Sequence, residues 1–205
     1  MYKNLIFDFG QVIVHFDPLY MTLKYISDEQ DIGLVSNVVF DRLYWDKLDM
    51  GTITDEEIKS DICKRLPSRL HKSAIEVYER WYENLPLIDG IFELLTELKA
   101  KGIKLYLLSN ISVGFADNYH KNPKIKMVLD LFDGLVFSGK LGIVKPSFQI
   151  FSHITEKYGI LKSEALFVDD NKNNIAGAEE FGIKGYLFDG DVKKLREYLK
   201  EQQCL

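Results

Sequence analysis

Four patches of the chain carry side chains that could act together on one small target. They are Phe7-Asp8-Phe9-Gly10, Leu107-Leu108-Ser109-Asn110, Gly142-Ile143-Val144-Lys145-Pro146 and Phe167-Val168-Asp169-Asp170-Asn171. Each lies at or just beyond the end of a short apolar run. In an open parallel sheet, ligands bind at the carboxyl ends of the strands, so these residues would meet there. Three crowded carboxylates (Asp8, Asp169 and Asp170) repel one another and call for a shared cation, and a ligand set made only of oxygens points to Mg²⁺. A lysine and a small hydroxyl, here Lys145 and Ser109, can hold phosphate oxygens while a metal neutralises others. A lone carboxylate facing phosphorus is a competent nucleophile that forms an aspartyl-phosphate. A strand-end aspartate used only as a hydroxyl hook or helix cap would leave Lys145 and the Asp169-Asp170 pair unexplained.

The elements that must position these groups follow from the same pattern. Leu5–Phe9, Ile103–Ser109, Gly134–Ser138, Ala165–Asp169 and Gly185–Phe188 read as strands. Asp89–Lys101, Phe148–Tyr158 and Asn174–Phe181 read as amphipathic helices, each closed by a glycine: Gly102, Gly159 and Gly182. Such alternation predicts an α/β fold, a Rossmann-like doubly wound parallel sheet with helices on both faces. The stretch from Phe16 to Leu85 has no strand pattern. Asp17-Pro18 signals a helix start, Thr54 and Glu57 form a capping box, and a helix is expected from about Arg69 to Leu85. The expected organisation is therefore a core of residues 1–15 and 86–205 with an all-helical insertion, residues 16–85.

The length of 205 residues accommodates one core and such an insertion, and 46% apolar with 28% charged residues excludes wholesale disorder. A formal charge of −5 provides no net positive field for a nucleic-acid backbone. Cys63 and Cys204 are the only cysteines, too few for a disulfide scaffold or a Cys-rich zinc site, and free thiols fit a reducing cytosol. The first ten residues are too short an apolar run for a signal peptide, and no later stretch reaches membrane-spanning length. The expectation is a cytoplasmic protein with no membrane or nucleic-acid partner, a monomer or homodimer acting on a small phosphorylated metabolite.

In order and position, the four patches resemble the motifs of the haloacid dehalogenase-like (HAD) superfamily, and the helical block resembles that family's small helical cap domain. The resemblance implies that Asp8 is the nucleophile and a Mg²⁺ ligand. Gly10 would offer its backbone carbonyl to the metal. Ser109 and the Asn110 amide would bind phosphate, Lys145 would bridge phosphate and nucleophile, and Asp170, with Asp169, would complete the metal site. It further implies a phosphatase working through an aspartyl-phosphate.

One position departs from the family pattern. The usual first motif has a second aspartate two residues after the nucleophile, acting as general acid and base, and here that residue is Gly10. Losing a general acid typically costs ~10²–10⁴-fold unless the leaving group departs unassisted. Anomeric and acyl phosphates have such leaving groups. A branch of bacterial sugar phosphatases, including one acting on α-D-glucose 1-phosphate, has this Asp-x-Gly variant and a segment similar to Gly51-Thr52-Ile53-Thr54-Asp55-Glu56. His15 is a candidate substitute acid, though beside Phe16 and Asp17 it reads first as packed or solvated. Trp45 and Tyr44 read as core before pocket lining, and Lys193–Lys200 as a solvated helix face. Two other functions stay open: a 2-haloacid dehalogenase, whose usual Tyr-Gly-Thr after the nucleophile does not match Gly10-Gln11-Val12, and a non-catalytic phosphometabolite-binding module. A mutase needs the acid that Gly10 replaces, and a receiver domain has its acidic pair early in the chain.

Overall fold

In the computed structural model, which describes residues 2–205, the five apolar runs pair into one sheet. The strands are β1 (Asn4–Phe7), β2 (Lys104–Ser109), β3 (Gly134–Phe137), β4 (Ala165–Asp169) and β5 (Lys184–Leu187). All pairings are parallel, in the order β3-β2-β1-β4-β5. From β1 the chain builds outward through β2 to β3, then returns to β4 on the other side of β1. The strand order thus reverses between β1 and β4, the place where a doubly wound sheet opens a crevice. β1, β3 and β5 are shorter at their carboxyl ends than their apolar runs. Phe9 leaves the ladder to pack on Phe115, 4.8 Å between ring centroids.

Side-chain alternation divides the core. Leu5, Phe7, Leu105, Leu107, Leu166 and Val168 are buried on one face, and Ile6, Tyr106, Leu108 and Phe167 on the other. The helices α9 (Phe148–Tyr158) and α10 (Lys172–Phe181) cover the second face with Phe151, Ile154 and Phe181. The first face receives α6 (Ile91–Ala100) and α11 (Val192–Glu201). It also receives two short helices that periodicity does not announce, α7 (Val113–Asn118) and α8 (Pro123–Leu129), which are capped by Ser112 and Asn122. The doubly wound architecture expected from the sequence is borne out.

Between β1 and β2 the chain forms α1 (Pro18–Leu23), α2 (Glu29–Val39), α3 (Arg42–Asp49), α4 (Asp55–Arg65) and α5 (His71–Arg80). Asp17, Asp28, Asp41 and Thr54 cap the first four, and Thr54 with Glu57 makes the full reciprocal capping box. The helix expected over 69–85 is broken instead. Arg80 leaves helical geometry (φ −129°, ψ 11°), and a tighter 3₁₀ turn, Trp81–Asn84, follows. The break sends Trp81 inward against Phe16, Trp45 and Phe115, at 5.6, 5.1 and 5.6 Å. Trp45, Trp81 and Phe115, with the half-buried Phe16 packed against them, join the helical block to one sheet face in a single cluster. Two connecting segments enter and leave the block side by side, with His15 N–H donating to Pro86 O and Ile88 N–H to Ile13 O. Among the described residues no helix is long and apolar enough to cross a membrane.

The turn after α3 docks the block on the sheet. Ser138 Oγ, just past β3, donates to the Asp49 carbonyl at 2.6 Å. Gly51 has φ +63°, and a Cβ there would lie 2.4 Å from the Gly139 carbonyl oxygen. Gly10 is unlike it: its φ is not positive, and a Cβ would meet nothing within 4 Å. Gly51→Ala should therefore lose more than the ~1–2 kcal/mol of a left-handed L-residue, because backbone must also move. Gly10→Ala should stay within ~0.5 kcal/mol of wild type. Urea unfolding of both variants checks this; equal stabilities would show that the Gly51–Gly139 approach is not a constraint.

Candidate active site

The carboxyl ends of β1 and β4 lie side by side, because Asp8 N–H continues the ladder by donating to Val168 O at 2.9 Å. Asp8 thereby stands next to Asp169, the last residue of β4. Lys145 arrives from the loop between β3 and α9. Its Nζ is 2.7 Å from Asp8 Oδ1 and 2.7 Å from Asp169 Oδ2, with the side chain only 1% exposed. Asn110 holds the lysine's main chain from both sides, its Oδ1 accepting from Lys145 N–H at 2.8 Å and its Nδ2 donating to Lys145 O at 3.0 Å. The Lys145–Pro146 peptide is cis.

Asp169 is fully buried and its oxygens are occupied. Oδ1 accepts from Asn171 N–H at 2.8 Å, Asn174 Nδ2 lies 3.1 Å from both oxygens, and Lys145 takes Oδ2. Asp170 is exposed, and no other residue among those described hydrogen-bonds its carboxylate. Asn171, not the acidic pair, caps α10 through its side chain. Asp8, Asp169 and Asp170 nonetheless each present an oxygen within 4.8 Å of the others. This all-oxygen, mutually repelling set suits a hard divalent cation.

The charges respond to this crowding. Burial drives Asp8 upward to about 6, Asp169 adds to the rise, and Lys145 opposes it. Burial alone would favour neutral Lys145, but Asp8 and Asp169 outweigh it and hold the ammonium above its ordinary value. Asp170 is raised by partial burial and by the charge of Asp169. A bound cation would relieve both raised carboxylates.

A cavity of about 570 Å³ opens above these groups, and Asp8, Gly10, Ser109, Asn110, Lys145 and Asp170 all line it. The seven residues singled out in the sequence are thus gathered at one place, with Asp169 behind Lys145. Trp45 lines the opposite wall while also packing on Phe16, Phe40 and Trp81. Tyr44 points elsewhere, to Asp61 and Arg65. His15 is exposed in a separate surface depression with Asp17, Tyr20 and Pro86.

Sequence reasoning missed Asp49. It ends α3, lines the cavity wall facing the strand ends, and buries an Oδ1 that has no hydrogen-bond partner among the described residues. One signal was available: an acid in the last turn of a helix faces the negative end of the macrodipole and needs another reason to be there. Burial first, then the charge of Asp46, lifts its carboxyl from 3.8 to about 7. The folded protein therefore holds this proton more tightly than the unfolded chain. That contribution is complete in acid and is lost as pH rises from about 4 to about 7. Asp49→Asn removes the titration. Its melting temperature relative to wild type should rise by roughly 2 °C or more between about pH 5 and about pH 8. A difference independent of pH would show that the carboxyl titrates as it does in the unfolded chain.

A sequence model described as haloacid dehalogenase-like hydrolase matches residues 2–182. The chain is 26% identical over 187 residues to a sesquiterpene phosphatase of Aspergillus oryzae, covering 90% of this chain and 88% of that one. It is 28% identical over 203 residues to D-ribitol-5-phosphate phosphatase of Bacteroides thetaiotaomicron, covering 91% of each. Among solved structures, a HAD family enzyme from B. thetaiotaomicron in a magnesium complex superposes with a TM-score of 0.71 at 26% identity, covering 95% of this chain and 98% of that one.

Proposed function

Because the chain belongs to the haloacid dehalogenase-like hydrolases, we propose that it hydrolyses a small phosphate monoester through an aspartyl-phosphate on Asp8. The observation that carries the proposal is Asp170. It stands at the cavity with an oxygen within 4.8 Å of one on Asp8 and no partner of its own. A dehalogenase attacking carbon has no use for that extra carboxylate, whereas a phosphatase uses it to hold a cation beside its nucleophile. Mg²⁺ held by Asp8, the Gly10 carbonyl and Asp170 would supply neutralisation of phosphate charge. Asp169, with its oxygens committed to Lys145, Asn171 and Asn174, then serves to aim Lys145.

The chain's own groups have distinct tasks. Ser109 and the Asn110 N–H bind phosphate oxygens, and Lys145 steadies both the phosphate and the Asp8 carboxylate. Asp8 attacks phosphorus as the ester oxygen leaves, and water then attacks the phosphorus of the acyl phosphate and frees Asp8. Residues 16–85 act as a cap that closes the cavity above residues 1–15 and 86–205. A space of about 570 Å³ suits a small metabolite. We place the substrate among sugar phosphates such as an aldose 1-phosphate, in keeping with the Asp-x-Gly motif, the Gly51–Glu56 segment and a relative that acts on a polyol phosphate.

Asp8→Asn should lower Mg²⁺-dependent phosphate release from a sugar-phosphate panel by at least about 10⁴-fold with the fold retained, since the amide cannot attack phosphorus. Turnover within tenfold of wild type would remove Asp8 from the role. In a metal titration, Asp170→Ala should need at least about tenfold more Mg²⁺ for half-maximal rate, whereas Asp169→Asn should lose rate at saturating Mg²⁺. Full activity of the wild type in excess chelator would instead favour carbon chemistry, checked by halide release from 2-haloacids.

A further inference from the structure

The loop after β1 supplies no proton donor, since Gly10 stands two residues after Asp8 and its side-chain space is open. Phosphoryl transfer to and from Asp8 gains from an acid for any leaving oxygen that does not depart unassisted and from a base for the incoming water. The cavity is lined by four acids, and Asp8 and Asp170 already have tasks. Of the other two, Asp46 is exposed and faces Arg42 Nε on the same helix at 3.7 Å. Asp49 is the one with a buried oxygen that no other described group satisfies. Its main chain is fixed against the sheet by the Ser138 hydroxyl, so the carboxyl is carried on a braced element. His15 lies outside this cavity.

We infer that Asp49, contributed by α3 rather than by the β1 loop, is the general acid and base of the reaction. The inference rests on the phosphatase function proposed above. In the first half, the bond from phosphorus to the ester oxygen breaks as Asp8 binds phosphorus, and the Asp49 carboxylic acid passes its proton to that oxygen, releasing an alcohol. In the second half, the Asp49 carboxylate takes a proton from water as its oxygen bonds to phosphorus. The bond from phosphorus to Asp8 breaks, and inorganic phosphate leaves with Asp49 reprotonated. Its groups are arranged for this exchange near neutrality. Burial and Asp46 favour the proton, Arg42 on the same helix opposes it, and from the strand ends Asp8 favours and Lys145 opposes it. The substrate class widens accordingly, because a donor brings phosphates of primary alcohols on sugars and polyols within reach beside anomeric ones.

The test compares kcat/KM for a hexose 6-phosphate and for p-nitrophenyl phosphate, a constant that reports transfer to Asp8. In Asp49→Asn, the hexose ester should fall ~10²–10⁴-fold and the aryl ester at least tenfold less, because nitrophenolate departs with little help. Adding Gly10→Asp to that variant should recover at least tenfold on the hexose ester. On the unmutated enzyme, kcat/KM across a series of alkyl and aryl phosphates should vary shallowly with leaving-group pKa. A steep dependence overturns the inference without any variant. An equal fall on both esters, or none, in a folded Asp49→Asn also overturns it while leaving the phosphatase intact. A wild type that releases phosphate from neither ester in Mg²⁺ would instead sink the phosphatase proposal and this inference with it.

Discussion

Burying an ammonium costs several kcal/mol unless opposite charges and hydrogen bonds surround it, and removing one partner of such a group typically costs more than the pair contributes. Lys145 sits under that constraint, in the interior between Asp8 and Asp169. Much of the neighbouring structure serves to satisfy it. The pairing of β1 with β4 sets the two carboxylates side by side, Asn110 fixes the main chain of the lysine, and Asn171 with Asn174 fills the remaining acceptor sites of Asp169. Asp8 is left with only part of its charge compensated, which is why burial still lifts it. The site is thus neutral enough to fold and unsatisfied enough to attract a cation and a phosphate.

The chemistry divides between two parts of the chain. The strand ends hold the groups that would bind phosphate and attack phosphorus, and all of them come from the last residue of a strand or from loops anchored by the sheet ladder. The helical block adds a wall containing Trp45 and the acid at the end of α3. The strand ends are held rigidly by the ladder, whereas a helix of the 16–85 block can present any side chain over the same spot. Moving the proton-handling group from the first to the second would free the β1 loop to use glycine.

Most of the sheet, and the gathering of the seven candidate residues at its strand ends, were legible because they obey local rules. The first and fourth apolar runs led into acids, α9 and α10 ended in glycine, and Thr54 with Glu57 formed the expected capping box. What escaped depended on packing. The helix at 71–80 stops where Trp81 turns into an aromatic cluster assembled from distant segments, so no local breaker marks it. α7 and α8 are too short for periodicity to register. The division of labour between Asp169 and Asp170 is invisible in a doublet, since it depends on which carboxylate Lys145 and Asn174 reach. Asp49 looks like a surface acid in sequence and acquires its character only when the block closes over the strand ends.

The aromatic seam of Phe16, Trp45, Trp81 and Phe115 has a thermodynamic corollary. Trp45, Trp81 and Phe115 are buried in a single cluster shared by the helical block and one sheet face, and the half-buried Phe16 packs against it. Peeling the block away would expose several large rings at once, at ~25 cal/mol for each Å² of apolar surface returned to water. The block and the sheet face beneath it should therefore melt together. Loosening it would be coupled to the loss of the sheet face beneath it, so the chamber above Asp8 would share the cooperativity of the whole fold.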